Sequence, residues 1–290
     1  MTIARVLSIA GSDSGGGAGI QADIKTITML GGHAMTAITA ITAQNTLGVT
    51  EILPVSAATV LAQIDAVVDD IGVDAIKIGM IGSAEICEAL ADRLSKPDLR
   101  SVPVIFDPVM VASTGARLTD QSAMLNLTRL LSRATVSTPN VDELRALSGM
   151  PVSNEIQIED AVGHLIEERG SGPILVTGVR LPGSAILESG KPPLGTDDLI
   201  FDILYLQDDG WQEYNWQAER IDTQEDHGTG CTLSSAIATG LAQGKNLQDA
   251  IGTARLYVRA AMAAAPGLGA GHGPMGHGLG RTYFDGEGSE

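Results

Sequence analysis

The sequence has few cysteines, few aromatic residues, few basic residues and no long apolar run. Cys87 and Cys231 are the only cysteines among 290 residues, which is too few for a disulfide scaffold and is typical of a reducing compartment. No segment approaches the roughly 18 apolar residues that a membrane-spanning helix needs. The N-terminal MTIARVLSIAGSD lacks the cleavage site of a signal peptide. We therefore expect a cytoplasmic protein whose first apolar segment is a buried strand.

Positive charge is scarce. The 18 Lys and Arg residues stand against 35 Asp and Glu, giving a formal net charge of −17. A field of this sign repels a nucleic-acid backbone or an anionic bilayer, so neither is an expected partner. Any phosphorylated ligand must then be held by local backbone amides and metal ions, which makes the glycine-rich segments the candidate binding sites.

Aromatic residues make up only 3% of the chain although 44% of it is hydrophobic. The core must therefore consist of Ala, Val, Ile and Leu, the usual filling of a parallel sheet buried on both faces. The apolar run Arg5 to Ala10 ends at a glycine turn, after which apolar residues recur at helical spacing from Ile20 to Leu30. This strand, loop and helix unit repeats, which predicts a single α/β domain over residues 1–281 with a mobile tail at 282–290.

The same alternation predicts most of the remaining elements. Between Leu181 and Thr223 the pattern changes, and the alternating stretches Leu199 to Leu206 and Trp211 to Trp216 predict a peripheral antiparallel hairpin. Further strands are predicted at 37–41, 74–78, 102–106, 135–137 and 173–177, and further helices at 57–68, 84–94, 121–131, 141–147, 156–168, 231–241 and 247–264.

The segment DHGTGCTLSSA at 226–236 is the strongest local signal. Its two glycines let the backbone fold tightly as a helix opens, and the N–H groups and dipole of such a turn favour an oxyanion or a transferring phosphoryl group. Cys231 lies in that field, so we expect its thiol pKa to fall from about 8.5 toward neutrality, making it a candidate base. An ordinary glycine-capped helix with a buried cysteine has the same sequence pattern.

A glycine loop, AGSDSGGGAGIQAD at 10–23, joins the first strand to the first helix. It contains no G-x-G-x-x-G register, and neither Gly190-Lys191 nor Gly244-Lys245 is followed by Ser or Thr, so the nicotinamide and Walker A motifs are absent. The loop either holds a polar substrate ring through its backbone and Asp23 or simply connects two elements.

The segment TPNVDE places Asn140 and Glu143 three residues apart at the start of a helix, hence on one face. Their oxygens can hold Mg²⁺ beside phosphates, or they can form the N-cap and N3 positions of a capping box. Asp107 adds a carboxylate at the end of the strand VIFDPVM. Open α/β sheets bind ligands at that edge.

Seven motifs carry a family resemblance: GGGAGIQADIKT, ITAQNT, KIGMIGS, DPVM, TPNVDE, HGTGCTLSSA and GHGP. In this order and over almost the whole chain, they resemble the hydroxymethylpyrimidine and hydroxymethylpyrimidine-phosphate kinases of thiamine biosynthesis. The resemblance implies a ribokinase-like fold, with a mostly parallel sheet covered by helices on both faces. It also implies a homodimer that uses ATP and Mg²⁺ to phosphorylate 4-amino-5-hydroxymethyl-2-methylpyrimidine to its monophosphate and then to its diphosphate.

The resemblance also assigns site residues. Gln44 and Asp23 would read the polar edge of the pyrimidine, and Cys231 would replace the aspartate base usual in the superfamily. The pyrimidine would lie against Gly11, Asp23, Gln44, Met80 and Val109. ATP would be bound by Asp107, Asn140, Glu143 and Thr177, with Asp107 and Glu143 beside Mg²⁺. The transferring phosphate would lie at Gly228, Thr229 and Gly230.

Two positions depart from the family pattern. The family often has Lys-Ser-Gly where this chain has Ser113-Thr114-Gly115, and Lys-Gly-Gly-His where this chain has Thr177 to Arg180. Two cations are therefore missing or moved, and Arg180 is a candidate replacement for one of them. A pyridoxal or pyridoxine kinase is the nearest alternative. A non-catalytic pyrimidine-binding module is disfavoured because the anion turn and the magnesium ligands are both intact.

Overall fold

The computed structural model describes residues 3–110, 123–180, 199–208 and 210–280, and the side chains of 123–126 are not among the described atoms. Within these residues the strands form one nine-stranded sheet in the order β3-β2-β1-β4-β5-β6-β7-β8-β9. The strands are β1 Arg5–Asp13, β2 His33–Asn45, β3 Gly48–Pro54, β4 Ala75–Ile78, β5 Val104–Phe106, β6 Val136–Ser137, β7 Ile174–Val179, β8 Leu199–Gln207 and β9 Trp211–Glu219.

The centre of the sheet is parallel and its edges are antiparallel. β1 pairs in parallel with β2 on one side and with β4 on the other, and the parallel pairing continues through β5 and β6 to β7. At one edge β3 is antiparallel to β2. At the other edge β8 is antiparallel to β7, and β9 is antiparallel to β8. Strand order therefore reverses at β1, with β2 on one side and β4 on the other. A crevice forms at such a point, here at the carboxyl ends of β1 and β4.

Helices cover both faces of the sheet because successive side chains of the central strands point to opposite sides. Leu7 and Ile9 pack in one core with the helices α2 to α6, and Val6 packs in the other with α1, α7 and α8. The helices are α1 Gly19–Met29, α2 Ala57–Asp70, α3 Ala84–Leu94, α4 Ala123–Arg133, α5 Val141–Ser148, α6 Glu155–Gly163 with a π-helical turn at His164–Glu168, α7 Thr229–Ala242 and α8 Leu247–Ala263.

Side-chain caps start most of these helices but not α7. A Ser or Asn oxygen accepts a backbone N–H at the start of α2, α3, α5, α6 and α8. Within the described residues, α1 and α7 have no side-chain cap, and the N-cap of α7 is Gly228. The first-turn N–H groups of a helix have no acceptor within the helix. In α7 the N–H of Thr229 donates to the carbonyl of Asp226 at 3.3 Å, so the N–H groups of Gly230 and Cys231 are the ones that a ligand could bind.

The predicted α/β class, with a mostly parallel sheet between two helical layers, is confirmed. The predicted hairpin is present as β8 and β9, whereas residues 181–198 and the tail at 282–290 lie outside the described residues. Sequence periodicity missed β3, because most of this edge strand is exposed and its residues show no alternation of burial. Among the described residues, no helix is both long and apolar enough to cross a membrane.

Candidate active site

A cleft of about 810 Å³ opens at the carboxyl ends of the parallel strands. β1, β4, β5, β6 and β7 each deliver residues to its wall at or just after their last residue, as expected for an open α/β sheet. Every predicted site residue except Asp23 lines it: Gly11, Gln44, Met80, Asp107, Val109, Asn140, Glu143, Thr177, Gly228, Thr229, Gly230 and Cys231.

One end of the cleft brings Met80 together with the side-chain amide of Gln44, beside Asp13 and His227. A Cβ at Gly11 would lie 2.2 Å from Cε of Met80, so the methionine packs directly against the glycine and would have to shift for a larger residue. The backbone of Gln44 is held by Ser14, whose hydroxyl accepts from its N–H at 2.8 Å and donates to its carbonyl at 2.7 Å. This end suits a flat ring with a polar edge.

Asp23 lies beneath the floor of the cleft. It is fully buried and accepts hydrogen bonds from Ser8, from Ser235 at 2.6 Å and from Nζ of Lys77 at 3.0 Å and 3.1 Å. Asp23 therefore does not line the cleft, and its contact with a bound ring stays a prediction. The first turns of α1 direct this carboxylate inward, where it neutralises a buried ammonium group.

Lys77 and Asp107 continue this buried network toward the cleft. Nζ of Lys77 is 3.9 Å from Oδ2 of Asp107, which also accepts from the Ser234 hydroxyl at 3.1 Å. Burial raises the pKa of Asp107, although Lys77 opposes the shift. Burial alone would lower the pKa of Lys77, but the charges around it, that of Asp23 first, outweigh burial and raise it. A Cβ at Gly79 would lie 2.8 Å from Nζ of Lys77, so this glycine makes room for the ammonium group.

Cys231 lies in the first turn of α7 and is half-buried at the cleft wall. Burial raises the pKa of its thiol to about 12; Lys77 opposes this shift, and Asp107 and Asp23 add to it. The expected fall in this pKa toward neutrality is therefore wrong. The field of the helix N-terminus is outweighed by desolvation and by the two nearby carboxylates. The thiol is protonated at neutral pH.

The turn before Cys231 is tightly packed against the glycine loop. Gly228 has a φ of +86°, and a Cβ there would lie 2.0 Å from the carbonyl oxygen of Gly17. Gly230 is exposed to the cleft, and a Cβ on it would lie 3.7 Å from Oδ1 of Asp107. The uncapped amides of this turn therefore lie beside a carboxylate at the centre of the cleft.

Asn140 and Glu143 form the capping box that the sequence allows. Oδ1 of Asn140 accepts from the N–H of Glu143 at 2.9 Å, and Oε2 of Glu143 accepts from the N–H of Asn140 at 2.9 Å. Burial, followed by the charge of Asp107, raises the pKa of Glu143 to about 8. Among the described residues, no group of three or more His, Cys, Asp or Glu side chains is arranged to hold a metal ion.

The other end of the cleft carries most of its positive charge. The N–H of Gly178 donates to Oδ1 of Asp202 at 2.8 Å, and Nε of Arg255 donates to Oδ2 at 2.6 Å, which fixes the turn after Thr177. Arginines 180, 220, 255 and 259 all line this end. Arg180 thus lies where a replacement cation is expected, whereas Ser113 to Gly115 fall outside the described residues.

Sequence reasoning missed two residues at the ring end. The Asp13 carboxylate accepts from the N–H groups of Gly15, Gly17 and Ala18, so it shapes the glycine loop. Burial would raise the pKa of Asp13, but the hydrogen bond from His227 and those from the loop amides lower it. Asp-x-Gly at the loop start is the available signal for Asp13. For His227 there is only its position directly before the anion turn.

Comparison with known proteins gives a consistent result. A family profile described as phosphomethylpyrimidine kinase matches residues 13–276. The chain is 43% identical over 274 residues to a hydroxymethylpyrimidine/phosphomethylpyrimidine kinase of Streptomyces coelicolor, covering 94% of each chain.

Two solved structures are similar over most of their length. The ADP complex of Bacillus subtilis pyridoxal kinase aligns with a TM-score of 0.81 at 32% identity, covering 96% of this chain and 98% of that one. A phosphomethylpyrimidine kinase from Clostridium difficile aligns with a TM-score of 0.70 at 34% identity, covering 89% and 98%.

Proposed function

The chain belongs to the phosphomethylpyrimidine kinase family, and we propose that it phosphorylates 4-amino-5-hydroxymethyl-2-methylpyrimidine with ATP, first to the monophosphate and then to the diphosphate. The observation that carries the proposal is the cleft itself. One end combines Met80 with the side-chain amide of Gln44 beside Asp13 and His227, the other is rich in arginine, and a helix turn without a side-chain cap lies between them. Family membership makes the chain an ATP-dependent phosphotransferase, so the proposal concerns its substrate and the roles of its residues.

In this proposal the ring lies against Gly11, Met80 and Val109, and Gln44 reads its polar edge. ATP enters from the end lined by Asn140 and Thr177. The hydroxymethyl arm and the transferring phosphoryl group meet at the amides of Gly228 to Cys231. Phosphoryl transfer depends mainly on positioning and charge stabilisation, and backbone amides at a helix N-terminus supply both without reorganising.

Asp107 and Glu143 are the proposed magnesium ligands. The two carboxylates repel each other, and each has a raised pKa. A divalent cation bound between them would offset that repulsion and stabilise both carboxylates in their ionised form. Mg²⁺ bound there would neutralise the phosphates of ATP and complete its coordination with phosphate oxygens and water, because it is usually held by only one or two carboxylates. The capping box holds the Glu143 carboxylate in place before any cation arrives.

Cys231 is the proposed base for the hydroxymethyl proton. Because its pKa is about 12, it accepts that proton only in the small fraction of molecules that hold a thiolate. The rate should therefore rise with pH across the neutral range. Lys77, whose charge opposes the rise in this pKa, is the residue that favours the thiolate.

Gln44→Ala is expected to weaken pyrimidine binding while ATP binding stays largely intact. An amide pairs with both donor and acceptor groups of an aminopyrimidine edge, and leaving such groups unpaired costs about 1–3 kcal/mol. The KM for the pyrimidine should rise by roughly fivefold to 150-fold. Gln243→Ala is the control. Gln243 lies at the C-terminal end of α7, away from the cleft, and its side chain donates to the carbonyl of Leu30. An unchanged pyrimidine KM in Gln44→Ala would remove Gln44 from the site.

Glu143→Gln is expected to raise the Mg²⁺ concentration needed for half-maximal rate without lowering the thermal midpoint. Glutamine keeps the capping box, since its carbonyl still accepts from the N–H of Asn140, but it offers the cation no charge. Asp249→Asn is the matched control because Asp249 lies three residues after the Asn246 cap of α8, away from the cleft. If thermal stability falls and magnesium dependence does not move, Glu143 serves the helix alone.

Pyridoxal is the second candidate acceptor, because the pyridoxal kinase structure aligns with the higher of the two TM-scores. Initial rates of ADP release with each ring, at saturating ATP and Mg²⁺, separate the two functions. We expect a higher kcat/KM for the pyrimidine. A higher value for pyridoxal would reassign the ring preference, and no turnover of either ring would favour a binding module.

A further inference from the structure

We propose that His227 determines ring specificity by fixing the side-chain amide of Gln44. This inference rests on the proposed function and deepens it. His227 is 5% exposed, lines the ring end of the cleft and directly precedes the anion turn. Its Nε2 lies 3.1 Å from the amide nitrogen Nε2 of Gln44 and 3.1 Å from Oδ2 of Asp13. The histidine therefore bridges the residue that reads the ring and the residue that shapes the glycine loop.

The partners of Asp13 decide where the histidine carries its hydrogen. An ionised carboxylate only accepts, and the pKa of Asp13 is lowered, so Asp13 is ionised near neutral pH. Nε2 of His227 must then carry a hydrogen. A nitrogen that carries a hydrogen cannot accept another, so Nε2 of Gln44 and Nε2 of His227 would face each other as two donors. The oxygen and nitrogen of a side-chain amide are assigned from their hydrogen-bond partners, and these partners require the two atoms to be exchanged, so that the Gln44 carbonyl oxygen faces His227.

The other end of the Gln44 amide agrees with this orientation. Before the exchange, the atom at this end is Oε1, which lies 3.1 Å from Oγ1 of Thr42. The single hydroxyl hydrogen of Thr42 is directed to the carbonyl of Ser12 at 2.9 Å, so it is not available to Gln44. Thr42 is then free to accept one N–H from Gln44. The amide keeps one N–H and one carbonyl lone pair for a ligand. A 4-aminopyrimidine edge, with an amino donor beside a ring-nitrogen acceptor, is complementary to that pair.

Packing holds His227 in this position. A Cβ on Gly17 would lie 2.5 Å from Cδ2 of the ring, so the glycine loop closes directly on the imidazole. On the other side, the backbone of His227 bridges to Pro274, and its N–H donates to the carbonyl of Gly273 at 3.2 Å. The imidazole is therefore held between two chain segments, which leaves Gln44 little freedom to present its other face.

The test is a double-mutant cycle between His227 and Gln44, with the dissociation constant of 4-amino-5-hydroxymethyl-2-methylpyrimidine measured by calorimetry beside steady-state kinetics. His227→Phe keeps a ring but removes the N–H. We expect about a fivefold to tenfold weaker pyrimidine binding, the equivalent of one net hydrogen bond, with kcat and the KM for ATP unchanged. In a Gln44→Ala background the same change should cost nothing further, because the two residues act through one contact.

Two further variants separate positioning from packing. His227→Gln places an N–H at a similar reach and should restore part of the affinity and of the preference for pyrimidine over pyridoxal. His272→Phe, whose exposed imidazole pairs with Asp226, should change neither. Additive losses in the double variant, a loss confined to kcat, or unchanged binding in His227→Phe would each overturn the inference.

Failure of the inference is distinguishable from failure of the proposed function. Wild-type protein that binds and phosphorylates the pyrimidine, with unchanged binding in His227→Phe, contradicts the role of His227 alone. Wild-type protein that binds the pyrimidine without phosphorylating it contradicts the function, while the binding cycle still decides the role of His227. Wild-type protein that does not bind the pyrimidine overturns both.

Discussion

Cys231→Ala is expected to lower kcat by about 10²–10⁴-fold, the usual contribution of a general base, with little change in either KM. The loss stops there because the anion turn is backbone and persists in the variant. Cys231 lies at the cleft wall in the first turn of α7, beside Asp107 and Lys77. The variant removes the proposed proton acceptor and leaves the rest of this arrangement intact.

The pH dependence of kcat gives the same variant a second readout. With a pKa of about 12, the thiolate fraction of Cys231 rises about tenfold for each pH unit across the neutral and mildly alkaline range. The wild-type kcat should rise with it, and the profile of Cys231→Ala should be flatter. Cys231→Asp restores the base usual in the superfamily, and we expect it to recover part of the rate at neutral pH.

Cys87 is the matched control. It is fully buried in the core on α3, away from the cleft, and burial raises its pKa to about 12 as well. Cys87→Ala should leave kcat unchanged, and ATP with pyrimidine should protect only Cys231 from alkylation. A Cys231→Ala enzyme with nearly wild-type kcat and an unchanged pH profile would show that this thiol packs against the cleft and that another group takes the proton.

Lys77→Met is expected to lower the free energy of unfolding by about 3–5 kcal/mol, because it leaves the buried carboxylate of Asp23 without its counter-charge. Lys77 is fully buried, and Nζ donates to both carboxylate oxygens of Asp23. Methionine has similar length and fills the space, so the loss reflects charge rather than a cavity. Urea unfolding of the purified variant measures it.

A double variant distinguishes the charge from the packing around it. Lys77→Met with Asp23→Asn removes both charges, and the amide oxygen still accepts from one of the hydroxyls of Ser8 and Ser235 while its NH₂ donates to the other, so most of the stability should return. Lys245→Met is the control, since that exposed side chain donates only to Thr253, and its effect should stay within about 0.5 kcal/mol. A loss below about 1 kcal/mol in Lys77→Met would show that Asp23 does not depend on this ion pair.

The sequence predicts the layers of the fold because buried parallel strands and amphipathic helices have strong periodic signals. It does not predict β3, whose residues are mostly exposed, so this strand follows from pairing with β2 and not from its own pattern. The ends of the elements were also approximate, since caps such as Asn154 at α6 depend on geometry that spacing alone does not specify.

The sequence predicts those site residues whose place depends only on where a strand ends. The residues after β4, β5 and β7 converge because parallel strands end at one edge. The pKa expected for Cys231 was wrong, and Asp23 lies outside the cleft lining, because both depend on where the Lys77 side chain goes and on how much water is excluded. His227 was missed because its partners Asp13 and Gln44 are distant in sequence, and only the folded chain brings them together.

The most direct test of the central claim is the identity of the product. Purified protein is incubated with ATP, Mg²⁺ and 4-amino-5-hydroxymethyl-2-methylpyrimidine, and the products are followed by mass over time, with pyridoxal in a parallel reaction. The structure and the family predict that the pyrimidine gains one phosphoryl group and then a second, with one ADP released for each. Phosphorylation of pyridoxal alone would contradict the proposed function, and so would the absence of any reaction with either ring.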